Sequence, residues 1–458
     1  MTDFTRCTAT ELADLYRTGS ASPVTVAEQV LAKIERLNPV LNAFCFTDPA
    51  TTLAQAHASA QRWQQHHPLS ELDGVPVAIK DLLLTQGWPT LKGSLAIDPD
   101  QPWLEDAPVV AALRAAGAVL AGKTTTSEFG SKITTDSLLN GITRNPWNPK
   151  YSSGGSSGGS AVAVSSGMVP VAVGSDYAGS IRTPAAFCGV VGFKPTHGMI
   201  PTNTTSLFEC SDVGPLARSV TDVALFLNIK LDQLDISKLR IAYCPDLGFA
   251  KNINHEIVGA VQQVAQALTQ AGAQVDWVSK VTDDPLKIIA LMYLTDTYNQ
   301  WNTFSESQQQ LIGPVYQWHA SYGPRLIESV DQIKLQQFQL KQHMQLFMES
   351  YDIILSPSTP VTADVCLADD TEFVPDKQNA DYISFVYLFN LTHQPAVTVP
   401  VGVNQLGMPI SVQIAGAVGD DARVLSTAKL VESMFAMPHP PLFYSKGSLC
   451  KNEILNNA

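Results

Sequence analysis

Basic residues are in deficit. Twenty-nine Lys and Arg stand against 42 Asp and Glu, a formal net charge of −13 over 458 residues. That balance is ill suited to holding DNA or RNA by neutralising phosphates. It also lacks the basic excess that draws a chain to an anionic membrane surface. Long apolar runs are missing too: the most apolar stretch, Val109 to Gly122, is broken by Arg114, and a membrane span needs ~18 residues. The opening residues carry Asp3, Arg6, Glu11 and Asp14 and show no apolar signal core. The seven cysteines (Cys7, Cys45, Cys188, Cys210, Cys244, Cys366, Cys450) are scattered, odd in number and without a C-x-x-C. They form neither a disulfide framework nor a zinc-ligand set, which fits a reducing compartment. Cytoplasmic location is therefore expected. Nine histidines, with His66 and His67 adjacent, offer no H-x-x-x-H or HExxH spacing, so neither a metal nor a cofactor is expected.

What is present is apolar and alternating. At 45% hydrophobic residues, the chain can bury a large core. Length by itself suggests about three domains of ~150 residues. Ser22 and Pro23 open a helix that runs to Leu37, where Asn38-Pro39 is expected to stop it. A half-exposed helix is expected over Thr51 to Gln65. Val75 to Ile79 reads as a short apolar strand, Val109 to Ala116 as a helix ended by Gly117, and Ala118 to Ala121 as another strand. Val169 to Val173 and Gly189 to Phe193 have the same texture, that of strands buried under helices on both faces. Residues 280 to 350 read as helices that end before the apolar run Asp352 to Ser356. Helix and strand alternate, which makes the fold class α/β.

Two glycine patterns invite different chemistry. Gly117 to Thr124 matches the phosphate-loop pattern G-x-x-x-x-G-K-[ST]. That mechanism needs a strand, then a loop, then a helix, whereas here a helix precedes and Ala118 to Ala121 is itself strand, so nucleotide binding is rejected. Tyr151 to Ser160 is almost all Gly and Ser. It runs straight into the apolar Ala161 to Val164, which argues for a structured loop rather than a linker. Its Gly154-Gly-Ser156-Ser-Gly158 fits the nucleophile elbow G-x-S-x-G, with His393 and Asp352 or Asp364 as partners. The motif is short, and glycine-serine loops satisfy it by chance.

A second small-residue turn, Gly174 to Pro184, presents Ser180 after a strand, where backbone N–H groups can converge as an oxyanion hole. Lys80 ends the Val75 to Ile79 strand beside Asp81. A lysine at the tip of a buried strand can be desolvated into a usable base. Spacing alone does not say whether Lys80, Ser156 and Ser180 meet.

At these residues the chain resembles the amidase signature family. Leu72 to Asp81, Ser153 to Ser160, Gly174 to Pro184 and Cys188 to Pro195 carry the likeness. Asp352 to Pro360, Asn390 to Pro400 and Gly407 to Gly416 extend it to the C-terminal half. The resemblance implies a single large domain, 1 to 458, around a mixed, twisted, many-stranded sheet covered by helices, in place of three domains. N-terminal helices would occupy about 8–65, and a variable substrate-pocket region about 230–350. It also implies a Ser-Ser-Lys triad, with Ser180 as nucleophile, Ser156 as the bridging serine behind a cis peptide bond, and Lys80 as the base. The backbone N–H groups of Tyr177, Ala178, Gly179 and Ser180 would form the oxyanion hole. Ala178 departs from the family's frequent pair of glycines before the nucleophile, and would be strained if that position demands φ > 0. Asp176 and Arg182 are expected to hold the loop.

The implied activity is hydrolysis of a small-molecule amide to a carboxylate and ammonia or an amine, with no nucleic acid or membrane partner and room for a homodimer. The alternative within the family is the glutaminase subunit of a tRNA-dependent amidotransferase. Such subunits clamp the glutamine carboxylate with an arginine before the strand at Asp352. This chain has none between Arg325 and Asp352, only Lys334 and Lys341 among glutamines, and lysine makes a poorer bidentate clamp. Tyr293, Tyr298, Trp301 and Phe304 suggest a hydrophobic or aryl amide.

Overall fold

The computed structural model describes residues 2–202, 206–323, 330–363 and 382–443; Arg325 and Asp364 lie outside the described residues. The strands, in chain order, are β1 (Phe44–Phe46), β2 (Pro76–Lys80), β3 (Val119–Thr124), β4 (Asp136–Ser137), β5 (Gly141–Ile142), β6 (Val171–Asp176) and β7 (Val191–Lys194). They continue with β8 (Asp212–Ala217), β9 (Arg240–Tyr243), β10 (Gln274–Trp277), β11 (Ile353–Pro357), β12 (Ala396–Val403) and β13 (Pro409–Ala415). Among the described residues, eleven of them form one sheet in the order β1-β3-β2-β6-β8-β7-β12-β13-β11-β9-β10, while β4 and β5 pair as a separate hairpin. The sheet is mixed. β3, β2 and β6 run parallel, as do β11, β9 and β10, and antiparallel pairs join them. Central strands such as β2, β3 and β11 are buried along their whole length, which is why their sequences run apolar without alternating.

Three helices, Ala9–Arg17, Pro23–Leu41 and Pro49–Gln64, fall within the N-terminal stretch. The second overruns its expected stop, because Pro39 lies inside it and the helix ends only at Asn42, in the left-handed conformation. Val40 and Leu41 are both buried there. Burying such side chains stabilises by ~1.5–3 kcal/mol each, enough to offset the ~3 kcal/mol cost of a helical proline. The Asn38 side chain then accepts the N–H groups of Ala43 and Phe44.

Strand β3 is longer than its apolar core, since it includes Gly122, Lys123 and Thr124. This disposes of the phosphate loop in structure as in sequence: Lys123 is fully buried, donates to Leu83 O and Thr90 Oγ1, and lies 3.3 Å from Asp81.

Candidate active site

The site forms where two parallel strands end side by side. β2 pairs with β6, and their carboxyl ends deliver Lys80 from one strand and Ser175 and Asp176 from the other. Successive side chains on a strand point to opposite faces. Asp81 accordingly faces Lys123, and Lys80 points into the Gly/Ser loop. Burial pushes the Asp81 carboxyl up and the Lys123 ammonium down, with each opposed by the charge of the other.

Lys80 Nζ is fully buried and surrounded by hydroxyls. Its neighbours are Ser156 Oγ at 2.8 Å, Ser157 Oγ at 2.8 Å, Ser175 Oγ at 3.0 Å and Ser175 O at 3.4 Å. Desolvation lowers its pKa from 10.5 to about 7, against a smaller upward pull from Asp176. The hydrogen-bond pattern orients the amine. Ser157 Oγ donates its proton to Ser175 O at 3.1 Å, so towards Lys80 it can only accept. A neutral amine that donates to Ser157 and Ser175 has its lone pair left for Ser156.

The Gly/Ser loop is threaded where side chains do not fit. A Cβ on Gly159 would come within 2.4 Å of Thr125 Oγ1, and one on Gly155 within 2.6 Å of the Thr134 carbonyl. The Gly155–Ser156 peptide is cis. Thr135 Oγ1 clamps the loop by donating towards Gly154 O and Ser156 O and accepting from Gly158 N. The following helix, Gly158–Ser165, is wholly buried and points its N-terminus at this corner. The positive end of that helix also disfavours a charged lysine.

Ser180 sits on the neighbouring turn, and its carbonyl accepts the Ser157 N–H at 3.1 Å, which ties the two serine loops together. Among the described residues the Ser180 hydroxyl makes no hydrogen bond, so the Lys80–Ser156 link is made and the Ser156–Ser180 link is open. Asp176 and Arg182 hold the turn, as their sequence position suggests. Both are fully buried, and the guanidinium donates Nε to Oδ2 and Nη2 to Oδ1 at 3.0 Å each. Burial alone would raise the Asp176 carboxyl; Arg182, Asn390 and the Gly179 N–H outweigh it and hold the group well below the usual carboxylate range. Asn390 and Gln413 complete the shell around Arg182. Neither was singled out from sequence, although Asn390 opens one of the family-like segments.

Of the expected oxyanion donors, the Gly179 N–H is bonded to Asp176 Oδ1 at 2.6 Å. The amides of Tyr177, Ala178 and Ser180 have no partner among the described residues. Ala178 carries no strain, because the positive φ falls on Gly179 (+107°), where a Cβ would sit 2.1 Å from Val386 Cγ2.

His393 is not brought to Ser156. It packs against His197, ring centroids 4.1 Å apart and tilted by 32°, and its Nε2 is buried with no hydrogen-bond partner among the described residues. Desolvation, then the charges of Lys341 and His197, lower its pKa to about 3. Asp352 is engaged by Arg240 and Arg423. Among the described residues the elbow triad with Asp352 is therefore not assembled. Of the aromatic stripe, Trp301 and Phe304 pack on Ile312, Tyr316 and Phe129 as core, and only Tyr293 reaches Tyr177. A cavity of about 1420 Å³ lies between helix Pro23–Leu41, β1 and the β4–β5 hairpin, and none of the three candidate residues lines it. Among the described residues no cluster of three or more His, Cys, Asp or Glu side chains is arranged to hold a metal ion.

A mixed α/β sheet whose parallel strand ends press a buried lysine into a Gly/Ser loop defines a class, the hydrolases of amide C–N bonds. The chain belongs to the amidase signature family: the family model described as Amidase matches residues 25–425. It is 31% identical over 459 residues to an acylamidase of Rhodococcus erythropolis, covering 93% of this chain and 95% of that protein. It is 30% identical over 480 residues to a glutamyl-tRNA(Gln) amidotransferase subunit of Chloroflexus aurantiacus, covering 93% and 96%. Among solved structures, a 6-aminohexanoate cyclic dimer hydrolase complexed with substrate superposes with a TM-score of 0.86 at 26% identity, over 96% of this chain and 100% of that one.

Proposed function

We propose that the protein hydrolyses a small-molecule amide through an acyl-enzyme on Ser180, with Ser156 and Lys80 as its proton relay. Neutral Lys80 takes the Ser156 proton as Ser156 takes that of Ser180, and Ser180 Oγ attacks the amide carbon. The oxyanion lies against the free amides of Tyr177, Ala178 and Ser180, where a donor of this kind is worth roughly 3 kcal/mol. On collapse the relay returns a proton to the leaving nitrogen, which an amide requires. Water then attacks the ester by the same path in reverse, which gives a carboxylate and ammonia or an amine.

The observation that carries this reading is a fully buried lysine hydrogen-bonded to Ser156 and, among the described residues, in no salt bridge. Bonds of this sort often tighten only with substrate bound, and rotation of the Ser180 side chain is what closes the open link. The five described cysteines are free thiols, which supports a reducing, cytoplasmic setting. Among the described residues no helix is long and apolar enough to cross a membrane.

The test is ammonia release from primary amides by the purified chain alone, with a fluorophosphonate probe mapped by mass spectrometry. Label on Ser180, turnover abolished in Ser180→Ala and a mild effect of His393→Ala are expected. Label on Ser156 with a dead His393→Ala variant would revive the elbow mechanism. The 30% identity to the amidotransferase protein supplies the rival outcome, a chain nearly inert until its partner proteins are added.

A further inference from the structure

Three rings from separate parts of the chain meet beside the nucleophile turn. Tyr177 lies edge-on to Tyr293, with centroids 5.9 Å apart. Tyr293 donates from Oη towards Ser131 O at 3.3 Å, meets His319 Nδ1 at 3.2 Å, and stands edge-on to that imidazole at 5.1 Å. Ser131 follows Gly130, where an added Cβ would lie 3.3 Å from Ser156 Oγ. Helix Leu286–Trp301 thus spans from the turn that carries Ser180 to the loop that abuts Ser156, and Tyr293 is its crosspiece. Tyr177, Tyr293 and His319 all stay partly accessible.

This wall is braced, and its charge is negative. Tyr177 Oη donates to Asp296 Oδ2 at 3.0 Å, and the same carboxylate accepts Ser206 Oγ at 2.5 Å and Leu207 N at 2.9 Å. Burial lowers the His319 pKa to about 4, which leaves that imidazole neutral at pH 7. Arg182, the fixed cation of the nucleophile turn, is fully buried and gives its donors to Asp176, Val386 O, Gln413 and Asn390. A substrate carboxylate arriving here would meet Asp296, and desolvation beside a like charge disfavours the ionised form.

We propose that Tyr177 and Tyr293, braced by Asp296, are the specificity-determining wall of the substrate pocket, which admits amides with a flat, uncharged aromatic group and turns away amides that carry a free carboxylate. The proposal rests on the Ser180 reading above and adds the substrate class. Two terms favour it: flat rings stack on aromatic edges and faces, and a small change of pocket size alters kcat/KM by about tenfold or more.

The experiment compares kcat/KM of the full chain for benzamide, naphthamide and succinamic acid, the last being an amide with a free carboxylate. Wild-type protein is expected to favour benzamide over succinamic acid by about tenfold or more. Tyr177→Ala should move the naphthamide-to-benzamide ratio towards naphthamide by about tenfold. Tyr177→Phe keeps the ring and should keep that ratio even where the overall rate falls. Asp296→Asn should raise succinamic acid relative to benzamide. If Tyr177→Ala does not fold, Tyr293→Leu carries the same expected shift. The wall is refuted if succinamic acid is hydrolysed as well as benzamide, or if the ratio is unmoved while fluorophosphonate still labels Ser180. Absence of label on wild-type Ser180 would refute the parent reading, and this one with it.

Discussion

Replacing Lys80 by methionine is expected to stabilise the protein at neutral pH while abolishing its activity. Folding lowers the lysine pKa from 10.5 to about 7. Between those values the unfolded chain holds a proton that the folded chain does not, so wild-type stability rises with pH across that window. At about 1.4 kcal/mol per pH unit, the whole rise is about 5 kcal/mol. Below pH 7 the full penalty stands, because the lysine is charged in both states. Methionine fills nearly the same volume with no charge to desolvate. Its cost is the loss of a partner at Ser156 and Ser175, about 1–3 kcal/mol for each hydroxyl left unsatisfied. Ser157 is spared, since its hydroxyl is already bonded to Ser175 O. The variant should therefore be more stable by about 1 kcal/mol at pH 7, an advantage that shrinks by about 1.4 kcal/mol per pH unit and vanishes near pH 8. Urea unfolding of both proteins at several pH values between 6 and 9 measures the difference. A gap independent of pH would show that Lys80 is not held against its ordinary charge state.

The same lysine sets the direction of the pH profile: kcat/KM of the wild type should rise as pH passes through about 7, because the proposed relay starts from the uncharged amine. Gly179→Ala drives a Cβ to 2.1 Å from Val386 at φ +107°, and kcat is expected to fall about 100-fold as the turn shifts away from the oxyanion. Asp176→Asn leaves the Arg182 guanidinium uncompensated at zero exposure; thermal and urea unfolding should show a loss of about 3–5 kcal/mol. A loss below ~1 kcal/mol, the range of exposed pairs, would mean that Asn390 and Gln413 carry Arg182 alone.

Much of this was legible in local sequence. Apolar runs at strand length marked β2, β3, β6 and β11, and the ordered Gly/Ser, lysine and C-terminal segments pointed to one family. Boundaries were harder. Pro39 reads as a stop on local grounds, yet burial of Val40 and Leu41, a contact with distant residues, carries the helix past it. Strand β3 outran its apolar core because Lys123 found Asp81 and backbone carbonyls inside the protein. The bond from the Gly179 N–H to Asp176 Oδ1 was not legible either, since only the folded turn brings the two together.

The sequence by itself determined residue type and order: a lysine after a buried strand, two serine turns, and the fold class. Covalent periodicity and composition are local properties, so they survive being read along a line. Tertiary structure alone decided which groups share a dielectric and a hydrogen bond. It turned Asp81 away from Lys80 and enclosed that lysine among Ser156, Ser157 and Ser175. It also set Asp296 behind Tyr177 from far along the chain. A pKa and a pocket wall depend on distances across the sheet, and those exist only once it has folded.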